Sequence, residues 1–111
     1  MSIKLFNTLS GKKEVVKPAN RKRLRLFVCG PTVYDSPHLG HARTYVFFDF
    51  LVKYLRSQKL SVFYLQNITN IDDKIIKRAR EEKKNPIRLA DFFAKEYLKD
   101  MKALGADAID K

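Results

Sequence analysis

The apolar run LRLFV, residues 24–28, stops at Cys29-Gly30-Pro31, and the next run of strand character, SVFYLQN at 61–67, is a long way downstream. Pro31 and Pro37 bar a helix over 30–38, and each also restricts the residue before it. From Leu39 onward Ala42, Tyr45, Val46, Asp49, Phe50 and Tyr54 recur at three- and four-residue spacings, which predicts a helix ending near Ser57. The order is strand, helix, strand. A connection of that length is too long for a hairpin and suits parallel strands joined by a right-handed crossover. The expected fold class is therefore α/β with a parallel βαβ core, and LRLFV reads as a buried strand.

Such a core fixes where chemistry can sit, because ligands of parallel sheets bind outside the carboxyl ends of the strands, beside helix N-termini. Cys29 follows the first strand, and Asn67 to Thr69 close the second. His38, Gly40 and His41 open the helix between them. All three groups are expected on one edge of the sheet. Two strands alone also leave a sheet edge for further chain to cover.

Around this unit the pattern is simpler. IKLFNTL reads as a short strand, and GKKEVVKPANRKR as a basic turn or hairpin. Asn70 is the expected N-cap of a helix over DDKIIKRAREEKK, with Asp72 and Asp73 in its first turn, where carboxylates favour the helix dipole. Asn85 and Pro86 form a second cap and N1 pair. The helix they start should present Ile87, Ala90, Phe93, Tyr97, Met101 and Leu104 on one face and end at Gly105. Repeats and low-complexity linkers are absent.

With 111 residues, 45% of them apolar, the chain can bury one core. A single cysteine cannot form an internal disulfide, and neither a secretory leader nor a membrane-spanning run is visible, so a cytoplasmic location is expected. Charge is uneven. Residues 1–27 carry eight Lys/Arg and one Glu, residues 28–73 four of each sign, and residues 74–111 eleven basic against seven acidic. A neutral centre between basic flanks suits a polyanionic partner such as nucleic acid, or simply keeps the domain soluble.

The stretch CGPTVYDSPHLGHARTY, residues 29–45, holds the lone cysteine and both histidines. A helix start offers unsatisfied N–H groups and partial positive charge to a phosphate. Gly40 would let a base or phosphate approach the backbone. His38 and His41, three apart, share a face and could donate to phosphate oxygens as charge develops there. The plainer reading makes one histidine a cap and the other a surface residue. G-x-G-x-x-G and G-x-x-x-x-G-K-[ST] are both absent. Cys29 could be a small buried hydrophobe or a metal ligand, and Cys29, Asp35, His38 and His41 could nominally form a local zinc site.

CGPTVYDSPHLGHARTYVFFDFLVKYL, followed by YLQNITNIDDKIIKRA, closely resembles the start of the cysteinyl-tRNA synthetase family, and HLGH resembles the HIGH signature of class I aminoacyl-tRNA synthetases. IKLFNTLSGKKE and FFAKEYLKDMKALG fit the same pattern, so the resemblance runs along essentially the whole chain. It implies a Rossmann-like nucleotide-binding fold, with residues 1–111 as the N-terminal part of a catalytic domain. It implies ATP- and Mg2+-dependent activation of L-cysteine and transfer to tRNA(Cys) by a cytoplasmic, monomeric enzyme. Carried over by position, His38 and His41 are catalytic, and Pro31, Thr32, Tyr34, His38, Gly40 and His41 bind ATP. Cys29, Gly30, Thr32, Thr44, Asn67 and Thr69 bind the substrate, and Cys29 is a ligand of a Zn2+ ion that binds the substrate thiol. Leu39 stands where the signature has Ile.

The remaining zinc ligands, the KMSKS loop and the anticodon-binding helices of that family are not found in these residues. The chain is therefore expected to be catalytically idle by itself. A mycothiol-pathway cysteine ligase shares the cysteine-activating domain and is the near alternative. A basic nucleic-acid-binding module is the more distant one.

Overall fold

A computed structural model of the chain describes residues 2–19 and 23–111. Residues 20–22 of the basic stretch expected as a turn or hairpin lie outside the described residues. The elements are β1 (Lys4–Asn7), β2 (Lys12–Val15), β3 (Leu24–Val28), α1 (Leu39–Ser57), β4 (Val62–Gln66), α2 (Asp73–Glu81) and α3 (Pro86–Ala103). β1 and β2 form an antiparallel hairpin in register Lys4↔Val15 to Asn7↔Lys12. Its turn closes through Gly11, whose φ of +67° suits a residue without Cβ. Leu9, expected within the strand, instead stands almost wholly exposed in this turn.

β3 and β4 pair in parallel from Leu24↔Val62 to Val28↔Gln66, with α1 as the crossover. The expected βαβ unit is present. The outer edge of β4 is taken by the chain's own tail, where Gln66 N–H donates to the Lys111 carbonyl and Asp110 N–H to that of Tyr64. That edge is thus taken, whereas the outer edge of β3 has no strand paired to it among the described residues, the open edge expected from two strands alone. The Asp110 carboxylate also accepts from Tyr64 N–H and from Arg56, both at 2.7 Å.

Burial along β3 alternates, and only Val28 is fully buried while Phe27 is 59% exposed. One face of this sheet packs on helices. The other, carrying Arg25, Phe27, Phe63 and Leu65, borders an open cavity of about 500 Å3. The reading of LRLFV as a fully buried strand therefore fails on one face. On α1 the buried stripe runs through Tyr45, Asp49, Leu51, Val52 and Leu55, so Val46 and Phe50 fall outside it. The helix is rotated by about one position from the face that its apolar spacing suggested.

α2 is capped by Asp72, not Asn70: the Asp72 carboxylate accepts from Lys74 N–H at 2.8 Å and the helix starts one residue later. Asn85 caps α3 as expected, accepting from Ile87 and Arg88 N–H. Leu89, Ala90, Phe93, Tyr97 and Met101 form its buried face. Ile87 and Leu104 are 67% and 53% exposed, because they lie in the first turn and at the C-cap, beyond the packed surface. Gly105 ends the helix at φ +71°.

Two clusters result. One joins Val28, Tyr45, Val52, Leu55, Val62, Tyr64, Tyr97 and Met101 between sheet, α1 and α3. The other joins Val33 to Ile75 and Ala79 of α2 and Leu89, Ala90 and Phe93 of α3. Asp49 is the one buried charged residue among those described. Its carboxylate accepts from Ala108 N–H at 2.7 Å and pairs with Lys53, tying the tail to α1. Asp49→Ala should remove that anchor and lower stability by about 1.5–3 kcal/mol, the range for buried hydrogen bonds to charged groups. Urea unfolding of both proteins measures the difference, and a loss below about 0.5 kcal/mol would assign the anchor elsewhere.

Candidate functional site

Past the ends of β3 and β4 the two chains stay bound to one another. Gly30 N–H donates to the Asn67 side-chain carbonyl at 2.7 Å. Thr69 N–H donates to Pro31 O at 3.0 Å, and Val33 N–H to Thr69 O at 3.1 Å, forming a parallel bridge between Thr32 and Thr69. Backbone and backbone come so close that a Cβ on Gly30 would lie 1.6 Å from the Asn67 carbonyl oxygen. Glycine is required there by contact, not by dihedral angle. Val33, 2% exposed, then plugs the loop into the second core cluster.

His38 and His41 close the start of α1 as a reciprocal cap. The His38 Nδ1 accepts from Gly40 N–H, and the His41 Nδ1 accepts from His38 N–H, both at 3.1 Å. The two rings stack with centroids 4.0 Å apart. This is a capping box built from imidazoles where serine or threonine and glutamate usually serve. An Nδ1 that accepts cannot carry the proton, so each neutral ring holds it on Nε2 as a donor. Partial burial, and then the neighbouring His38, lower the pKa of His41 below the ordinary imidazole value. The neutral Nε2–H form is thereby favoured. A Cβ on Gly40 would come within 2.9 Å of the His38 ring, so this glycine makes room for the cap itself. Thr44 donates its hydroxyl proton back to Gly40 O at 3.2 Å.

Cys29 is exposed and free, its thiol making only a long 3.8 Å contact to Gly30 O. The reading of Cys29 as a small buried hydrophobe is therefore overturned. The local zinc site of Cys29, Asp35, His38 and His41 does not form either. Among the described residues no three such side chains are grouped to hold a metal. Both Nδ1 atoms are taken by backbone N–H groups, and Asp35 pairs with Arg78 of α2 at 3.0 Å.

Tyr34 is half-buried under the Lys74 ammonium, 5.6 Å from the ring centroid, and Pro31 is buried. The loop residues therefore meet at one edge, as the βαβ order predicts. Asn67 commits its carbonyl to Gly30 and keeps its amide protons as donors. The histidines keep their Nε2–H groups.

Tyr45 supports this corner although its role was not read from the sequence. Its hydroxyl donates to the Cys29 carbonyl at 3.2 Å, and its ring lies parallel to His41 with centroids 6.3 Å apart. Burial, then Cys29 and Tyr64, push its phenol up to about 12, which keeps it a donor. The i+4 step from His41 was the available signal. Arg78, which braces Asp35 and also pairs with Glu82, had no local signal at all.

Gly30→Ala should break the Gly30–Asn67 crossing. Overpacking of this kind costs about 1–3 kcal/mol, visible as a lowered denaturation midpoint. The amide resonances of residues 67–69 should shift with it. An unchanged midpoint and unchanged resonances would show that the crossing has slack.

A Rossmann-like α/β unit whose crossover helix opens on H-L-G-H defines the catalytic fold of class I aminoacyl-tRNA synthetases. The structure aligns with methionyl-tRNA synthetase of Mycobacterium tuberculosis, solved with methionyl-adenylate, at a TM-score of 0.76 and 20% identity. The alignment covers 81% of this chain and 18% of that one. The family model described as "tRNA synthetases class I (C) catalytic domain" matches residues 15–110, and the chain belongs to that family. It is 51% identical over 110 residues to the cysteine–tRNA ligase of Pyrococcus horikoshii and 52% identical to that of Pyrococcus abyssi. The enzyme of the same name from Thermoplasma acidophilum is 50% identical over 108 residues. The chain spans about a quarter of these relatives, 23% of the Pyrococcus proteins and 24% of the Thermoplasma one.

Proposed function

We propose that residues 1–111 form the N-terminal part of the catalytic domain of a cysteine–tRNA ligase and supply its ATP-binding corner. The observation that carries this reading is the stacked His38–His41 cap beside the exposed Cys29, in a chain half identical to proteins of that name. The reaction begins when a carboxylate oxygen of L-cysteine attacks the α-phosphorus of Mg2+-bound ATP, and pyrophosphate leaves with the electrons of the broken P–O bond. A ribose hydroxyl of the terminal adenosine of tRNA(Cys) then takes the cysteinyl group, and AMP leaves.

In this reading His38 and His41 donate from Nε2 to phosphate oxygens. Neutral donors already held by the backbone need no rearrangement as charge grows on the leaving pyrophosphate, which is how such groups favour a transition state over a ground state. Pro31, Thr32, Tyr34 and Gly40 shape the nucleotide side of the corner. Gly30, Thr32, Thr44, Asn67 and Thr69 shape the side facing the cysteinyl-adenylate, with the Asn67 amide as a donor.

The exposed Cys29 thiol fits one position of a Zn2+ site whose other ligands are not among these residues. Bound there, zinc would prefer a substrate thiol over the hydroxyl of serine, a near-isostere that pocket shape alone separates by only about 10²-fold.

The test is cysteine-dependent ATP–pyrophosphate exchange by the full-length ligase that carries these residues. His41→Ala should lower kcat by about 10²–10³, the effect of removing one preorganised donor, with little change in the KM for cysteine. A change confined to KM, or exchange that ignores cysteine, would contradict the assignment. Cys29→Ser should lower bound zinc and the preference for cysteine over serine together. Unchanged metal content with unchanged preference would remove Cys29 from that role.

A further inference from the structure

α2 runs beside the loop that leads into His38, and one side of it meets three consecutive loop residues. Val33 is buried against Ile75 and Ala79. The Lys74 ammonium stands over the Tyr34 ring at 5.6 Å, and Arg78 Nη1 donates to the Asp35 carboxylate at 3.0 Å. Lys74 and Arg78 are one helical turn apart, as are Ile75 and Ala79, so all four side chains share one side of the helix. The loop that crosses them continues through Pro37 into the His38 cap.

Arg78 is itself held in place. Its Nε donates to Glu82 one turn on, Glu82 also pairs with Lys84 at 2.8 Å, and the guanidinium carbon lies 5.9 Å from the centre of the Phe93 ring on α3. Asp35 is held on its other side, where its second carboxylate oxygen accepts from Ser36 N–H at 2.7 Å. A planar guanidinium fixed by a carboxylate and a ring presents its remaining N–H groups in one direction. An ion pair so near the surface adds little to global stability. What it can fix is the path of residues 34–36, a segment with no helix or strand of its own.

We propose that Arg78 is a positioning residue for ATP: by holding Asp35 it keeps the stretch from Tyr34 to His38 in the shape that receives the nucleotide, without touching the nucleotide itself. The inference rests on the activation reading and adds to it a residue on a different helix from the H-L-G-H turn. In that reading Tyr34 and the two histidines stand on the nucleotide side of the corner. The cysteine side is built on the ends of β3 and β4 and held by the Gly30–Asn67 crossing. Releasing Asp35 should therefore weaken ATP binding and spare cysteine. A loop that is in its binding shape for a smaller fraction of the time raises the apparent dissociation constant in proportion. Exposed ion pairs shift such populations by up to about five-fold.

Cysteine-dependent ATP–pyrophosphate exchange by the full-length ligase tests it, together with hydrogen–deuterium exchange of the same proteins read by mass spectrometry. Arg78→Met keeps an apolar stem against Phe93 and removes the charge. It should raise the KM for ATP by about 2- to 5-fold and leave the KM for cysteine unchanged. Loss of folded enzyme would lower kcat and move neither KM. Arg78→Lys, which keeps a cation on the same side of α2, should restore most of the ATP affinity. In an Asp35→Ala background Arg78→Met should have no further effect on the KM for ATP, because the two residues act through each other. Arg80→Ala removes an exposed cation from the same helix and should change neither KM. Amides of residues 33–38 should exchange faster in Arg78→Met, with those of β3 and β4 unchanged. An unchanged KM for ATP, or an equal rise in both KM values, would overturn the proposal. So would a full effect of Arg78→Met in the Asp35→Ala background, which would put Arg78 on the nucleotide directly. If the wild-type ligase shows no cysteine-dependent exchange, it is the activation reading that fails. Hydrogen exchange then still decides whether Arg78 holds the loop, and unchanged protection of residues 33–38 would overturn that.

Discussion

The crossing of Gly30 over Asn67 is the contact on which the rest of the corner depends. Parallel pairing of β3 and β4 would end at Val28 and Gln66, but the Gly30–Asn67 hydrogen bond and the Thr32–Thr69 bridge carry it into the loop. With a Cβ 1.6 Å from a carbonyl oxygen, no other residue type fits without displacing one chain. Because the loop is held on that side and plugged through Val33 on the other, its exit into α1 is fixed in position. His38 then lies where it can cap the helix. The histidine pair thus leans on a backbone crossing whose far side, Asn67, lies beyond α1 and β4 in the chain.

The same cap links stability to chemistry. Imidazoles are unusual in a capping box, and here their Nδ1 atoms satisfy backbone donors that every helix start leaves open. The outcome is a pair of rings whose Nδ1 atoms are committed to the backbone and whose Nε2 atoms are left over. Tyr45 connects this pair to the strand end by packing parallel to His41 while donating to Cys29 O. Below it Tyr97 meets Tyr45 edge-on and donates to Gln66 at 2.8 Å. Tyr45 and Tyr97 therefore join the corner to the first core cluster, Tyr45 through the Cys29 backbone carbonyl and Tyr97 through the Gln66 side chain.

The βαβ unit, the helix starting at Leu39, and the shared edge for Cys29, His38 and Asn67 were legible because prolines and apolar periodicity are local signals. The cap at Asn85 was legible for the same reason. What failed to be legible depends on geometry between distant segments. Asn70 and Asp72 are both competent caps, and the choice shows only in the structure, where α2 starts at Asp73 and the Asp72 carboxylate accepts from Lys74 N–H. Phe50 and Val46 fit the helical spacing of α1 but face away from the sheet, a rotation set by where β3 and β4 lie. The exposure of Cys29, the brace from Arg78 to Asp35 and the tail along β4 all involve residues far apart in sequence. The histidines show the limit most clearly. Cap and phosphate donor were opposed readings of H-x-x-H, yet each ring has two nitrogens, and capping through Nδ1 leaves Nε2 to donate.

That division of labour between the two nitrogens is measurable directly. Long-range 1H–15N correlation spectra of the histidine-labelled protein at neutral pH report which ring nitrogen carries the proton. The account predicts the Nε2–H tautomer for both His38 and His41, and a His41 that titrates below the ordinary imidazole value of about 6.5. An Nδ1–H tautomer in either ring, or a His41 titrating above that value, would contradict the capping geometry and the donors built on it.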